Sequence, residues 1–361
     1  MRRYYCLISI LAAANLAPGL AVAQEPRVRI FEAYPDEIQA RLELRNRRVL
    51  SLPALPTGVQ PFSLVVEDAL KWRAGQTITV AFSGGDPNLH RQIADAASIW
   101  MNHANLTLDF GYNPSSGRYR AWSASDRSYA ADIRISFSYA GYWSLVGTDS
   151  KNVEIAPPST PSMNFGGFLF QLPDDWQETV LHEFGHAFGL HHEHQHPTEG
   201  CDEEWRWEDD PGYVQTTNQF GQFIPDTAGR QPGLYTVLAG EPNRWPKSKV
   251  DHNLRQLSNS QAYSFGSFDP SSIMKYFFDE WMFKRGSRSQ CFTPSDNTQL
   301  SAMDEARIAE IYPSAAGAIG ALVQARSQRA EVLRALLKEV PIPLRPDVEQ
   351  AADFLSVESV E

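Results

Sequence analysis

The spacing of apolar residues between residues 77 and 165 predicts strands that alternate with a helix. Thr77–Phe82 is rich in β-branched residues and ends at a turn containing glycine and proline, so it predicts a strand. From His90 to Asn105, apolar residues recur three and four positions apart, which favours a helix. Ile133–Phe137 alternates as a half-buried strand does, and Ser162–Phe165 is a further candidate strand.

The second half of the chain has one strong helical pattern followed by a long region of weak periodicity. A helix beginning near Trp176 presents one apolar face, and Asp174–Asp175 supplies its N-cap. Cys201–Ser267 is rich in Trp, Gly, Pro and Gln, which predicts extended loops with short helices. Leu300–Ile311 predicts another helix, with Ser301 as its N-cap.

The first 23 residues have the pattern of a secretory signal peptide. Arg2 and Arg3 precede a short apolar run, and Ala21-Val22-Ala23 supplies a cleavage motif. A membrane anchor is the alternative, but Pro18 and Gly19 interrupt the apolar stretch before it reaches spanning length. We therefore expect a secreted protein, extracellular or periplasmic.

The remaining pattern divides the chain into three further parts. Residues 24–70 mix charge with proline and form a leader or propeptide-like segment without a long periodic run. Residues 71–313 contain the predicted strands and helices and form the main domain. Residues 314–361 form a tail whose amphipathic pattern, rich in Ala, Leu and Arg, predicts a helix that stops at Pro341.

Charge and cysteine content narrow the classes of partner and compartment. The formal net charge is −11, and loss of the signal peptide makes it more negative by two charges. An acidic surface argues against nucleic acid or an anionic membrane as a partner. Loss of Cys6 leaves Cys201 and Cys291, which in an oxidising compartment most simply form one disulfide; two buried free thiols are the alternative.

Six of the nine histidines lie in the stretch LHEFGHAFGLHHEHQHP, residues 181–197. On a helix, His182 and His186 are one turn apart on the same face, so both imidazoles can reach one metal ion. Glu183 stands beside them, where it can contact a water on the metal and act as a general base.

The same stretch offers a third ligand. Gly189 can adopt the left-handed conformation that ends a helix, after which the chain can return His192 to the ion. Three neutral ligands with an open fourth position describe a catalytic zinc site. The other three histidines here lie off this spacing and are expected to face solvent or support the ligands: His191, His194 and His196. Outside the stretch, structural roles are expected for His90, His103 and His252.

The string His182–His192 resembles the zinc signature of the metzincin metallopeptidases, and Ser272–Tyr276 is similar to their methionine turn. Glu193 directly after the third histidine, and the tyrosine that follows the methionine, resemble the astacins most closely. Leu300–Tyr312 resembles the C-terminal helix of that family. Lys275 departs from the family, which usually has histidine there.

The resemblance covers roughly residues 71–313 and implies an α+β, metzincin-like fold. Such a fold has an N-terminal mixed sheet with helices, an active-site helix and a loop-rich C-terminal half. It also implies a secreted zinc metalloendopeptidase with one Zn²⁺ per chain, held by His182, His186 and His192. Protein or peptide substrates would be hydrolysed by a zinc-activated water, with Glu183 as the general base.

Further roles are implied for residues around the metal. Met274 would form an apolar floor beneath the ligands, and Tyr276 would hydrogen-bond the tetrahedral intermediate. Glu193 would meet the N-terminus that propeptide removal frees. An edge strand such as Ser162–Phe165 would pair with an extended substrate. No prosegment aspartate motif of the family is recognisable before Leu70, so the sequence does not support a latent form.

Two other readings of the sequence stay open. A catalytically inactive zinc-holding or carbohydrate-binding module is the first, although such a module has no use for a carboxylate base such as Glu183. A metzincin of another branch, matrix-degrading or calcium-repeat, is the second. Tyr276 in the methionine turn and the lack of glycine-aspartate repeats argue against it.

Overall fold

The N-terminal half of the domain is built on a five-stranded sheet. The computed structural model describes residues 31–50, 69–257, 266–342 and 345–356, so the predicted signal peptide lies outside the described residues. The strands are β1 Thr77–Phe82, β2 Thr107–Asp109, β3 Ile133–Ser136, β4 Tyr142–Ser144 and β5 Met163–Phe165. Their order is β2-β1-β3-β5-β4, and only the β4–β5 pairing is antiparallel.

Two expectations about these strands were wrong. β5 lies between β3 and β4 and is not an edge strand; the edge on that side is β4, which the pattern did not predict. β3 is buried along its whole length and not on one face only. Arg134 tolerates this burial because its guanidinium donates hydrogen bonds to carbonyl oxygens, including those of Thr160, Ser150 and Ala156 at 2.8–3.0 Å.

The helices largely follow the sequence pattern. They are α1 Asp36–Leu50, α2 Pro87–Ala97, α3 Trp176–Ala187, α4 Cys201–Glu204, α5 Leu234–Ala239, α6 Lys247–Leu254, α7 Ala302–Ile311, α8 Ala316–Leu336 and α9 Arg345–Leu355. α7 has the predicted N-cap, since Ser301 and Asp304 form a capping box. α3 begins where predicted, but its N-cap residue Asp175 makes no capping side-chain hydrogen bond.

Two hydrophobic cores divide the domain. The larger core joins the sheet to α2 and α3 and includes Trp100 and Phe184. The second core lies in the loop-rich half, where Trp205 and Phe278 are fully buried. The site described below lies between these two halves. Among the described residues, no helix combines the length and apolar content that crossing a bilayer requires.

The second core contains the predicted Cys201–Cys291 disulfide. The bridge closes a loop with a sequence separation of 90 residues. In the chain-entropy account, such a loop stabilises the fold by about 4 kcal/mol. Replacing both cysteines by alanine should therefore lower the free energy of unfolding by about that amount in a denaturant titration. An unchanged transition midpoint would contradict this role.

Both ends of the described chain contain helices that the sequence analysis missed. α1 lies within the leader segment and packs Ile38 and Leu42 against Trp143 of β4 and the neighbouring loop. α9 follows Pro341 and pairs with the predicted tail helix α8 in a hairpin. The hairpin also buries Ala69, two residues before the main domain.

Candidate metal centre

Helix α3 and the turn after it place three histidines around one point. Val180 and Phe184 fix the buried face of α3 in the larger core. Gly189 has a φ of +92°, the predicted left-handed conformation, so the chain reverses just after the helix. His192 then returns toward His182 and His186, and all three side chains are buried.

Each histidine uses its Nδ1 atom to donate a hydrogen bond away from this point. His182 donates to the carbonyl oxygen of Ile273 at 2.7 Å, and His186 to that of Leu190 at 2.7 Å. His192 donates to the side-chain amide oxygen of Gln195 at 3.2 Å. The amide nitrogen of Gln195 donates to two backbone carbonyls, so its oxygen must face His192. With its proton on Nδ1, each ring in its neutral form directs the lone pair of its Nε2 atom inward.

A carboxylate that the sequence analysis did not single out completes the cluster. Oε2 of Glu32 lies 3.3, 3.4 and 3.0 Å from the Nε2 atoms of His182, His186 and His192. One ligand atom from each of these four buried residues lies within 4.8 Å of the other three. Three imidazole nitrogens and one carboxylate oxygen are a donor set that zinc accepts.

The contacts inside the cluster call for a cation. Nε2 of His186 lies only 3.0 Å from Nε2 of His192. With both Nδ1 atoms acting as donors, two neutral rings would oppose their lone pairs at that distance, and protonated rings would bring like charges together. A cation at this point, either one proton shared by the two nitrogens or a metal ion among the four ligands, removes this repulsion, so the residues present fit the metal that the sequence motif implies.

Electrostatics support an ionised Glu32 in the cluster. Burial by itself raises the pKa of Glu32, but the charges that His186 and His192 carry when protonated, together with hydrogen bonds from His182 and His186, outweigh it and hold that pKa well below its usual value. Burial lowers the pKa of His192 to about 4, so the ring is neutral near pH 7. These states are the ones in which a carboxylate and an imidazole bind metal.

Glu183 follows His182 on α3 and is buried, with 2% of its surface exposed. Its Oε2 atom has no hydrogen-bond partner among the described residues. Burial, and then the negative charge of Glu32, raise the pKa of Glu183 well above its usual value. A buried carboxylate with an unused oxygen and a raised pKa is suited to accepting and releasing a proton.

Tyr276 and Met274 adjoin the cluster from the predicted methionine turn. The Tyr276 ring stacks on His182 with 4.8 Å between centroids, and its hydroxyl donates to Oε2 of Glu32. Burial first, and the charges of Glu32 and Glu183 next, raise the pKa of Tyr276 well above its usual value, so the hydroxyl keeps its proton. Met274 is buried against α3 at Gly185, where a Cβ atom would lie 2.3 Å from the methionine sulfur.

The remaining histidines of the motif are not all where the pattern placed them. His194 and His196 are buried, so of the two expected positions, facing solvent or supporting the ligands, the first is wrong for both. His194 stacks on His192 at 4.8 Å and hydrogen-bonds the carbonyl oxygen of Asn253, which makes it a support for a ligand. His191 is half-buried and lines a separate cavity of about 220 Å³.

Glu193 lies outside the ligand cluster. Its backbone N–H donates to the carbonyl oxygen of Met274 at 3.1 Å, which links the turn that carries His192 to the methionine turn. Its side chain accepts from the backbone N–H of Asp269 and lines the same 220 Å³ cavity, as does Lys71. Burial raises the pKa of Glu193 to about 7.

Comparison with solved structures gives a relative whose chain aligns with this one over nearly its whole length. Myroilysin is 32% identical to this chain, with 68% of this chain and 97% of that chain covered and a TM-score of 0.49. A second myroilysin crystal structure is 29% identical, with 68% and 86% covered and a TM-score of 0.42. A scan of protein-family models and a search of curated proteins gave no match.

A third structure is more distant. High choriolytic enzyme 1, a hatching enzyme zinc-protease from the medaka fish Oryzias latipes, is 15% identical, with 68% and 95% covered and a TM-score of 0.37. The assignment rests on the 32% identity across nearly all of myroilysin and not on these superpositions. The chain belongs to the astacin family of zinc metalloproteases.

Proposed function

We propose that this protein is a secreted zinc-dependent endopeptidase that hydrolyses peptide bonds in proteins or peptides and is made in a latent form. The observation that carries the proposal is the convergence of three Nε2 atoms and one carboxylate oxygen. His182, His186 and His192 would hold the zinc ion. Glu32 would take the fourth position until the N-terminal segment leaves.

In the active form, the residues near the ligands have separate tasks. Bound zinc would lower the pKa of a water molecule and polarise the scissile carbonyl. Glu183 accepts the proton of the attacking water and passes it to the leaving amine. Tyr276 keeps its proton and donates a hydrogen bond to the oxyanion as the transition state forms.

Latency is supported by the way residues 31–50 are anchored. Arg45 on α1 pairs with the buried carboxylate of Asp149 at 2.8 Å, so the helix is fixed to the main domain. The segment before α1 then carries Glu32 into the metal cluster. We propose that residues 24–70 are a propeptide, residues 71–313 the catalytic domain and residues 314–361 a helical appendage.

The cavity beside Glu193 supports processing of the chain near residue 70. It has room for a terminal ammonium group, is bordered by Lys71 and contains a carboxylate with a raised pKa. A terminal ammonium placed there would satisfy the buried charge of Glu193. We propose that the mature N-terminus binds at this cavity.

Secretion is supported by two independent observations. The first 23 residues have a signal-peptide pattern, and the fold contains a disulfide, which persists in oxidising compartments. A catalytically inactive binding module remains the alternative function. The unused carboxylate oxygen of Glu183 favours the enzyme, because a purely structural zinc site gains nothing from a buried carboxylate beside its ligands.

The ligand assignment is tested by comparing two neighbouring histidines. His192→Ala should sharply reduce the zinc bound per chain, because one of three imidazole ligands is lost. His191→Ala should leave the zinc content unchanged, since that side chain lines the separate cavity. Metal analysis of both purified variants decides the matter; the reverse pattern would show that the third ligand is wrongly assigned.

The role of Tyr276 is tested by its phenylalanine variant in the processed protein. Tyr276→Phe should lower kcat with little change in KM, because the lost hydrogen bond forms only in the transition state. By analogy with other oxyanion donors, the loss is about 2.7–4 kcal/mol, and smaller where zinc carries most of the charge. Zinc content should persist. A kcat equal to that of the parent would reduce Tyr276 to a packing role.

A further inference from the structure

Phe31, the residue before Glu32, fills an aromatic pocket beside the metal cluster. Only 7% of its surface is exposed. Its ring lies 5.5 Å from that of Phe278 in a stacked arrangement, and 6.3 Å from the rings of Trp245 and Tyr276. The pocket therefore shares Tyr276 with the metal site.

The walls of this pocket belong to the second core of the main domain. Phe278 is 1% exposed and packs edge-on against Trp205 at 4.6 Å. Asn243 borders the pocket and accepts a hydrogen bond from the backbone N–H of Phe31 at 3.0 Å. These wall residues belong to the domain and not to the N-terminal segment.

The segment that carries Phe31 crosses between the two halves of the domain. On the side of the sheet, the Tyr34 hydroxyl donates to the carbonyl oxygen of Ser144 on edge strand β4 at 2.9 Å. On the opposite side, Nζ of Lys249 donates to the Tyr34 carbonyl oxygen at 3.0 Å. Between these contacts and the Phe31 pocket lies Glu32. A substrate that reaches the same metal site would pass between Ser144 and Lys249 and beside the Phe31 pocket.

We propose that the Phe31 pocket is a substrate subsite that selects a large apolar or aromatic side chain within two residues of the scissile bond. This proposal rests on the proposed peptidase function and adds its substrate class. Glycine would leave the pocket unfilled, and aspartate would bring a charge among three aromatic rings at a desolvation cost. In a hydrophobic pocket a single methylene is already worth roughly 10- to 200-fold in kcat/KM.

Cleavage of matched peptides tests the subsite. The full-length chain is folded, cut at a protease sequence inserted between residues 51 and 68, and separated from its N-terminal segment. Peptides that differ at one position are then compared, with Phe, Leu, Gly or Asp at each of the two positions on either side of the scissile bond. At one of these positions, Phe or Leu should raise kcat/KM by at least about tenfold over Gly or Asp.

Two tryptophan variants show whether the preference comes from this pocket. Trp245→Phe should change the preference at that position, because Trp245 lines the pocket. Trp207→Phe makes the same change in the same core, at a ring that packs on Trp205 and Tyr235, and should leave the preference unaltered. An absent apolar preference, or one that Trp245→Phe does not alter, would overturn the subsite.

A binding measurement separates failure of the subsite from failure of the proposed catalysis. The cut chain carrying Glu183→Gln is titrated with the acetylated peptide Phe-Glu-Ala-Tyr-Pro-Asp, residues 31–36, and with its Phe31→Ala form. Calorimetry should show at least tenfold weaker binding of the alanine peptide. Equal affinities would refute the subsite. A tenfold difference in a chain whose parent cleaves no peptide would support the subsite and refute the peptidase.

Discussion

Glu183→Gln is expected to reduce peptidase activity of the processed protein by roughly 100- to 10,000-fold while the fold and the bound zinc persist. Glutamine fills nearly the same volume but cannot accept the proton of the attacking water. The Oε2 atom of Glu183 is buried and has no hydrogen-bond partner among the described residues, so no such partner can take over its task. Peptide hydrolysis and metal content are measured on the same preparation.

The matched control for this experiment is Glu178→Gln, the same chemical change on the same helix, in its first turn. It should retain both activity and zinc. Turnover of the Glu183→Gln protein at the level of the parent would refute Glu183 as the general base. Loss of zinc in that variant would show that the carboxylate contributes to the metal site.

Glu32→Ala is expected to activate the uncut, full-length chain. A hydrogen bond to a charged group contributes roughly 1.5–3 kcal/mol, so losing even one of the contacts of Glu32 raises the open population by at least about tenfold. Cleavage of a small peptide by the uncut chain should rise by a similar factor. Hydrogen exchange of residues 31–50 should also become faster, because the segment loses its contact with the three histidines.

Glu37→Ala is the control for that activation, since Glu37 is exposed on α1. This variant should behave as the parent in both measurements. If Glu32→Ala leaves peptide cleavage and hydrogen exchange unchanged, Glu32 does not hold the segment in the metal site. If hydrogen exchange accelerates and cleavage does not, the segment is held by Glu32 but does not control access.

Those residues of the site that lie close together in the sequence could be predicted from the sequence. Helical spacing brings His182 and His186 onto one face of α3, and Gly189 supplies the conformation that returns His192. Each of these steps depends only on residues that lie a few positions apart in the sequence. Strand β1 and the N-cap of α7 were predictable for the same reason: each follows from a short, local sequence pattern.

Glu32 could not be found in this way. Its contact with His192 joins residues that are 160 positions apart, and no periodic pattern reports such a contact. The one local signal is an acidic residue among the aromatic side chains of Phe31 and Tyr34, which also occurs in ordinary loops. α1 was missed because Ile38 and Leu42, the buried apolar residues among those whose side chains are described on it, make only one helical repeat.

The buried histidines after the ligands show the same limit. His194 and His196 stand in a polar stretch typical of a surface loop, yet both are buried, with His194 against Phe278 and His196 against Phe268. Their hydrogen bonds go to backbone carbonyls of Asn253 and Gly266, both distant in sequence. Polar residues can be buried wherever tertiary partners satisfy them, and sequence periodicity does not contain those partners.

The central claim is tested most directly by anomalous diffraction at the zinc absorption edge from crystals of the uncut, full-length chain grown with zinc. We predict one strong anomalous peak per chain, enclosed by the Nε2 atoms of His182, His186 and His192 and by Oε2 of Glu32. A chain with no peak among these four atoms, or with zinc held by other residues, would contradict the account.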